Sequence, residues 1–144
     1  MKKVFLIATC VLALFAVTFA GTGKLKFRGA DKFLNHFPEA TDVAAKTVGE
    51  FTKVSFKNND VKTEAFYDQN GELIATSHNV DLKVIPAVAM EKITKKYQGA
   101  VFTEAIEFNK LNDGISNFYV AIEQSGKKTI LEVTANGSVR PYNK

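Results

Sequence analysis

The chain has 144 residues, 46% hydrophobic and 24% charged, a composition typical of a single globular domain. Its one cysteine, Cys10, excludes a framework of internal disulfides. The formal net charge is +4. Because Lys2 and Lys3 fall in a predicted leader, the mature chain carries about +2, which does not require a nucleic acid or an anionic membrane as partner.

The first twenty residues have the order of a secretory signal peptide. Two lysines precede an uncharged run from Val4 to Ala20, and Thr18 and Ala20 are small enough for the positions that a signal peptidase reads. We predict cleavage after Ala20 and a periplasmic or extracellular location. Two alternatives are a retained anchor, for which the run is short, and a lipoprotein that begins at Cys10.

Residues 21–29 are predicted to form a flexible arm, and residues 30–144 the domain. The domain opens with apolar residues at helical spacing, which predict a short helix that ends before Pro38: Ala30, Phe33, Leu34 and Phe37.

Three strands are predicted next, over Phe51–Lys57, Val61–Asp68 and Glu72–Asn79, because these segments are rich in β-forming residues. The turns between them are Asn58–Asp60 and Gln69–Gly71. The second turn contains Asn-Gly, the pair that favours a tight hairpin.

A second helix is predicted to open at Pro86 and to end near Gly99. Its apolar face is formed by Ala89, Met90, Ile93 and Tyr97. The strands predicted after it are Val101–Asn109, Ile115–Gln124, Lys128–Ala135 and a short last strand over Ser138–Tyr142.

The two halves of the domain also share a spacing. Lys62-Thr63 precedes Asn70-Gly71 by the same interval as Lys128-Thr129 precedes Asn136-Gly137. The order and this spacing predict an α+β fold made of a duplicated helix-plus-three-strand meander. We expect one antiparallel sheet with the two helices packed on one side.

The residues needed for catalysis are sparse. The predicted mature chain has no cysteine and no Gly-x-Ser-x-Gly, and its only histidines, His36 and His78, do not have metal-ligand spacing. Asp68–Glu72 departs from EF-hand spacing and is predicted as a turn. We therefore predict a protein that is not an enzyme and uses no metal or cofactor. A carboxylate pair of the glycosidase type is the alternative, among Glu104, Glu107, Glu123 and Glu132.

One sheet face is the candidate binding site. If Phe118, Val120 and Ile122 point into the core, then Tyr119 and Glu123 point away from it. The same reasoning, with Phe102 and Ile106 directed inward, places Glu107 outward. An exposed tyrosine among carboxylates suits protein recognition, so Tyr119, Glu107 and Glu123 are the predicted partner-binding residues. The alternative is a half-buried tyrosine that shields the sheet.

The order of these elements resembles the PepSY-like, β-lactamase-inhibitor-like family of exported bacterial proteins. The residues that carry the resemblance lie within positions 30–142: Phe33, Phe37-Pro38, Val54-Ser55-Phe56, Phe66-Tyr67-Asp68-Gln69-Asn70-Gly71, Ile85-Pro86, Tyr97, Phe118-Tyr119-Val120, Leu131-Glu132-Val133 and Asn136-Gly137. The resemblance implies a non-catalytic periplasmic or extracellular binder or inhibitor of a protein or peptide. A carrier of a small apolar ligand, held between helices and sheet, is the alternative function.

Overall fold

The computed structural model describes residues 26–142, so the predicted signal peptide, residues 1–20, lies outside the described part. The described chain divides into two units. Unit 1 runs to His78 and includes Lys110–Asp113, and unit 2 comprises Asn79–Asn109 and the residues from Gly114 onward.

Unit 1 begins with helix α1, a short helix of seven residues that spans Ala30–His36. Four strands follow it in the chain: β1 Thr41–Val48, β2 Phe51–Asn58, β3 Val61–Tyr67 and β4 Leu73–Asn79. Each of these strands pairs antiparallel with the next one along the chain.

Unit 2 begins with a single 3-10 turn over Leu82–Val84 and helix α2, Ala87–Lys96. Its strands are β5 Val101–Lys110, β6 Ile115–Gln124, β7 Lys127–Thr134 and β8 Val139–Pro141. The pairs β6–β7 and β7–β8 are antiparallel.

The strand order in the sheet is the order in the chain, from β1 to β8. Within residues 26–142, strands account for 52% of the residues and helices for 17%. The predicted α+β class, with three strands after each helix, is therefore wrong. The fold is β-rich, each unit has four strands after its helix, and each helix packs against the core of its own unit.

Strand β1 was missed because its own sequence is a poor β-former. It contains Asp42, two alanines and Lys46, and most of its residues are exposed. Its register also shifts between Thr41 and Ala44, where Asp42 has a left-handed φ of 53°. Pairing with β2 therefore holds this strand, and local propensity does not reveal it.

The predictions of individual turns and of the second helix agree with the structure better than the predicted fold class does. Asn70-Gly71 lies in the turn between β3 and β4, and Asn136-Gly137 in the turn between β7 and β8. The second predicted helix is confirmed as α2, which starts directly after Pro86 and buries Ile93 at 1% exposure. These features depend on residues close in sequence, which is why they can be predicted.

The core of unit 1 is aromatic. Phe33 of α1 is fully buried and lies 5.0 Å from the ring of Phe56, in an edge-to-face contact, and 6.5 Å from the ring of Tyr67. Phe27 extends this cluster, with its ring centroid 5.4 Å from that of Tyr67. The packed part of the domain thus includes Phe27, within the predicted arm.

A close backbone contact closes unit 1. A β-carbon added to Gly71 would lie 2.8 Å from the backbone nitrogen of Gly29, so neither residue has room for a side chain there. Two side-chain contacts support it: Arg28 Nη1 donates to the carbonyl of Gln69 at 3.2 Å, and Lys32 pairs with Glu72. The start of α1 is therefore fastened to the β3–β4 turn.

The core of unit 2 is mainly aliphatic. Ile93 of α2 packs with side chains from three strands and the preceding loop: Ile85, Ala105, Val120, Ile122, Leu131 and Val133. Phe102 and Phe118 lie at its border. The side of the sheet that faces α2 is therefore filled by the protein's own side chains, and the opposite side is the candidate for recognition.

Candidate partner-binding site

Strand β6 separates the two sides of the unit 2 sheet. Val120 and Ile122 belong to the core beneath α2, whereas Tyr119 and Ala121 alternate with them and point to the opposite side. We define the Tyr119 face as that opposite side, formed by Asn117, Tyr119, Ile130, Glu132, Arg140 and Tyr142.

Tyr119 lies on the side of the sheet opposite the α2 core, but the prediction of an exposed tyrosine is wrong, because its side chain is only 6% exposed. Its ring meets the edges of two others, with centroid distances of 6.4 Å to Phe108 and 5.3 Å to Tyr142. Burial, with a smaller effect from the charge of Glu132, raises the pKa of the Tyr119 phenol. The tyrosine therefore stays neutral and forms the buried floor of this face.

Three side chains lie in a row across three strands. Tyr119 pairs in register with Glu132 of β7, and Glu132 pairs in register with Arg140 of β8. Glu132 Oε1 accepts a hydrogen bond of 3.0 Å from Asn117 Nδ2. Its other oxygen, Oε2, accepts from Nε of Arg140 and lies 2.8 Å from Nη2 of the same side chain. Both oxygens of this buried carboxylate are thereby occupied.

The two ends of the Arg140–Glu132 pair differ in exposure. The Glu132 side chain is 9% exposed, and the Arg140 side chain is 70% exposed. The surface consequently presents the cation and hides its counter-charge. Hydrogen bonding to Glu132 and the charge of Glu132 raise the pKa of Arg140, so the guanidinium is permanently charged.

The predicted site residues are only partly brought together. Glu123 lies on the Tyr119 side of β6, four residues and about 13 Å further along the strand, and it is exposed. Glu107 lies on the other side of the sheet, where its Oε1 accepts a 2.6 Å hydrogen bond from Ser116 Oγ, because Ser116 shares the side of Phe118.

The cause is a break of alternation in β5. Phe102 and Ala105 both pack on the α2 core although they are three positions apart. Every residue after the break changes side, so Ile106 and Phe108 lie on the Tyr119 side and Glu107 does not. No signal in the sequence marks this irregularity. The pairing of Glu132 with Arg140 was also missed: a two-residue turn at Asn136-Gly137 would pair position 132 with 141, whereas the structure pairs 132 with 140.

Unit 1 carries a second polar cluster, on the side of its sheet away from α1. Lys53 Nζ lies 3.4 Å from Glu64 Oε1, and the two side chains are 8% and 12% exposed. Ser55 and Ser77 donate to the same carboxylate at 3.3 and 3.4 Å. Burial raises the pKa of Glu64 to about 7, and the charge of Lys53 opposes that rise.

Within residues 26–142, no group of three His, Cys, Asp or Glu side chains is arranged to hold a metal ion. Asp68, in the predicted turn, uses Oδ1 to accept the backbone N–H groups of Asn70 and Glu72, so this carboxylate belongs to the turn. None of the helices in the described part is long and apolar enough to span a membrane.

The fold of the described residues defines a class: a β-rich, BLIP-like fold with an eight-stranded antiparallel sheet and two helices. A BLIP-like protein from Bacteroides fragilis superposes with a TM-score of 0.67 at 18% identity, over 85% of this chain and 88% of that one. A proposed periplasmic protein from Bacteroides eggerthii gives a TM-score of 0.74 at 14% identity, over 84% and 90% of the two chains.

A DUF2874 family protein from Bacteroides uniformis gives a TM-score of 0.71 at 14% identity, over 81% and 89% of the two chains. No family model matches the sequence, and no curated protein matches it. The similarity therefore supports the inhibitor-like part of the sequence resemblance at the level of fold, and the PepSY-like name is not confirmed.

Proposed function

We propose that this protein is an exported, non-enzymatic binding domain that recognises a protein partner through the Tyr119 face. The observation that carries the proposal is the Arg140 guanidinium, 70% exposed and fixed by the buried Glu132 beside Tyr119 and Tyr142. Tyrosine and arginine are enriched at the centres of protein interfaces. Because these side chains are already ordered in the free protein, less conformational entropy is lost on binding.

The comparisons support this proposal in two ways. The BLIP-like neighbour shares the fold of this chain, which agrees with the inhibitor-like binding domain that the sequence resemblance implies. The neighbour described as periplasmic agrees with a location in the periplasm or outside the cell.

Export itself has a direct test. Mass spectrometry of the protein purified from its native cell envelope or medium should show a chain that begins at Gly21 or within a few residues of it. Recovery of the full-length chain from the membrane fraction would contradict cleavage.

Partner binding can be tested by blocking one face at a time. Because the predicted mature chain has no cysteine, a single cysteine at an exposed position can be labelled with a polyethylene glycol maleimide of about 5 kDa. Glu123→Cys places the polymer on the Tyr119 face, and Glu91→Cys places it on α2 as the control. Neither change touches a core residue, so both variants should fold.

The immobilised proteins are then incubated with envelope extract from the host, and captured proteins are identified by mass spectrometry. We expect one or more proteins to be captured by the unlabelled protein and by the labelled Glu91→Cys control, and to be lost on labelling Glu123→Cys. Equal capture by both labelled proteins would place the binding surface elsewhere. The absence of any protein captured above a blank resin would contradict the proposed function.

A further inference from the structure

We propose that the partner presents a carboxylate to Arg140, from an aspartate or glutamate that has an apolar or aromatic residue next to it. This inference rests on the proposed function and adds the chemistry of the partner. The reasons are the geometry of the guanidinium, the exposure of its two ends and the tyrosines beside it.

The guanidinium has donors to spare. Arginine carries five N–H donors in a planar fork. Glu132 Oε2 lies within 2.8 Å of Nε and of Nη2, so one edge of the fork is occupied by the protein itself. The outer edge, formed by Nη1 and the second hydrogen of Nη2, matches the two oxygens of an incoming carboxylate.

The fork is also held in place before binding. Arg140 pairs in register with Glu132, and Glu132 is fixed in turn by the 3.0 Å hydrogen bond from Asn117. A free arginine side chain loses rotamer entropy when it is immobilised. Here the contact with Glu132 already restricts the rotamers of Arg140. A directional hydrogen-bonded contact with the partner is therefore favoured over a non-specific attraction between charges.

The charge at the surface suits an acidic group. Glu132 neutralises Arg140 overall, but the Glu132 side chain is 9% exposed, whereas the Arg140 side chain is 70% exposed. A partner therefore meets donors and positive charge at this point. Its complement is a carboxylate, and a lysine or arginine would meet repulsion.

The tyrosines near Arg140 indicate which kind of residue lies next to the acidic residue in the partner. Tyr142 follows Arg140 by two positions on the same side, and its ring lies 5.3 Å from that of Tyr119. An apolar or aromatic side chain next to the acidic one can pack on the Tyr142 ring, which Tyr119 supports from below, while the carboxylate reaches the fork. The expected recognition element is thus a short acidic–aromatic segment.

The experiment uses phage-displayed random 12-residue peptides selected on the purified exported protein. We expect selected peptides to contain Asp or Glu beside an aromatic or apolar residue. Arg140→Gln should bind these peptides with a Kd at least tenfold larger than that of the parent protein. Arg140→Lys should restore only part of the lost affinity, because lysine keeps the charge but lacks the planar fork of donors. Lys95→Gln, exposed on α2, is the control and should bind like the parent.

A second comparison isolates the pair. Replacing the acidic residue of a selected peptide by its amide should remove the difference between the parent and Arg140→Gln. The melting temperatures of all variants are measured. If Arg140→Gln has a clearly lower melting temperature than the parent, Arg140→Lys replaces it in the comparison. Peptides that protect the Tyr119 face but have no acidic preference would overturn this inference and leave the proposed function standing. Selected peptides that bind another surface, or no binding peptides at all, would contradict the proposed function itself.

Discussion

Both units place a Lys–Glu or Arg–Glu pair on the side of the sheet away from their helix, but they use it differently. In unit 1 the pair Lys53–Glu64 is buried at both ends. In unit 2 the carboxylate of Glu132 is buried and the guanidinium of Arg140 is exposed. Breaking a fully buried pair mainly costs stability, whereas a pair with one exposed cation leaves a charge for a partner. The same motif in one sheet can therefore serve the fold in one unit and recognition in the other.

The cores of the units differ as well. Unit 1 packs rings around Phe33 from a helix of seven residues, and unit 2 packs branched aliphatic side chains around Ile93 from a helix of ten. Rings bury more area per residue, so a shorter helix can still be anchored. The two helices thus depend on one central residue each, and this dependence can be tested.

The largest effect is expected from a charge in the unit 2 core. Ile93→Asp would bury an unpaired carboxylate and should lower the free energy of unfolding by about 5 kcal/mol or more, measured by urea denaturation. Val88→Asp on the same helix is the control, because Val88 is 55% exposed, and should cost less than about 1 kcal/mol. Similar losses for both variants would mean that α2 is not anchored through Ile93.

A cavity in the unit 1 core should rank next. Phe33→Ala removes the ring at the centre of the aromatic cluster and should cost about 4 kcal/mol. Leu34→Ala changes the neighbouring exposed position and should stay within about 0.5 kcal/mol of the parent in the same denaturation assay. A loss of under about 1 kcal/mol for Phe33→Ala would show that the short helix contributes little to unit 1.

The buried pair of unit 1 predicts a pH dependence. Burial raises the pKa of Glu64 from 4.5 to about 7, so between these values the folded chain holds a proton that the unfolded chain has released. The free energy of unfolding should therefore fall as pH rises from 4.5 to 7, by about 3 kcal/mol in total, and stay level above it.

Glu64→Gln should remove this slope, since the amide does not titrate. Glu91→Gln, on the exposed side of α2, should keep it. Denaturation at pH 4.5, 5.5, 6.5 and 7.5 gives the comparison. A Glu64→Gln protein with the slope of the parent would assign the pH dependence to other groups.

The smallest expected effect compares the two Asn-Gly turns. Gly71 and Gly137 have nearly the same φ, 78° and 79°, so alanine is strained equally at both. At Gly137 the nearest atom to an added β-carbon is Val88 Cβ at 3.4 Å, whereas at Gly71 the backbone of Arg28 and Gly29 lies within 2.9 Å. Gly137→Ala should cost about 1 kcal/mol and Gly71→Ala about 2 kcal/mol. Equal melting temperatures for the two variants would mean that the backbone at the start of α1 can move away from residue 71 at little cost.

Much of the fold was predictable where neighbours in sequence decide it. The Asn-Gly turns, the Pro86 start of α2 and the burial of Ile93 follow from turn chemistry and helical spacing. Strand β1 was not predictable, because its alanines, Asp42 and Lys46 lack strand propensity and only pairing with β2 orders them.

The candidate site was predictable in part for the same reason. Regular alternation in β6 correctly placed Tyr119 opposite the core. It could not show that Phe108 and Tyr142 cover the ring, since those contacts come from other strands. Glu107 was misplaced because the break of alternation in β5 has no marker in the sequence.

The last strand has a consequence for association between copies of the chain. β8 is an outermost strand of only three residues, and its last residue is Pro141. Because the N–H of Tyr142 donates inward to Ile130, position 141 faces the outer edge, where proline has no N–H to donate. A strand from another molecule therefore finds no donor there, and at the other outermost strand it meets the bulge at Asp42. Both edges thus oppose the edge-to-edge pairing that leads to aggregation.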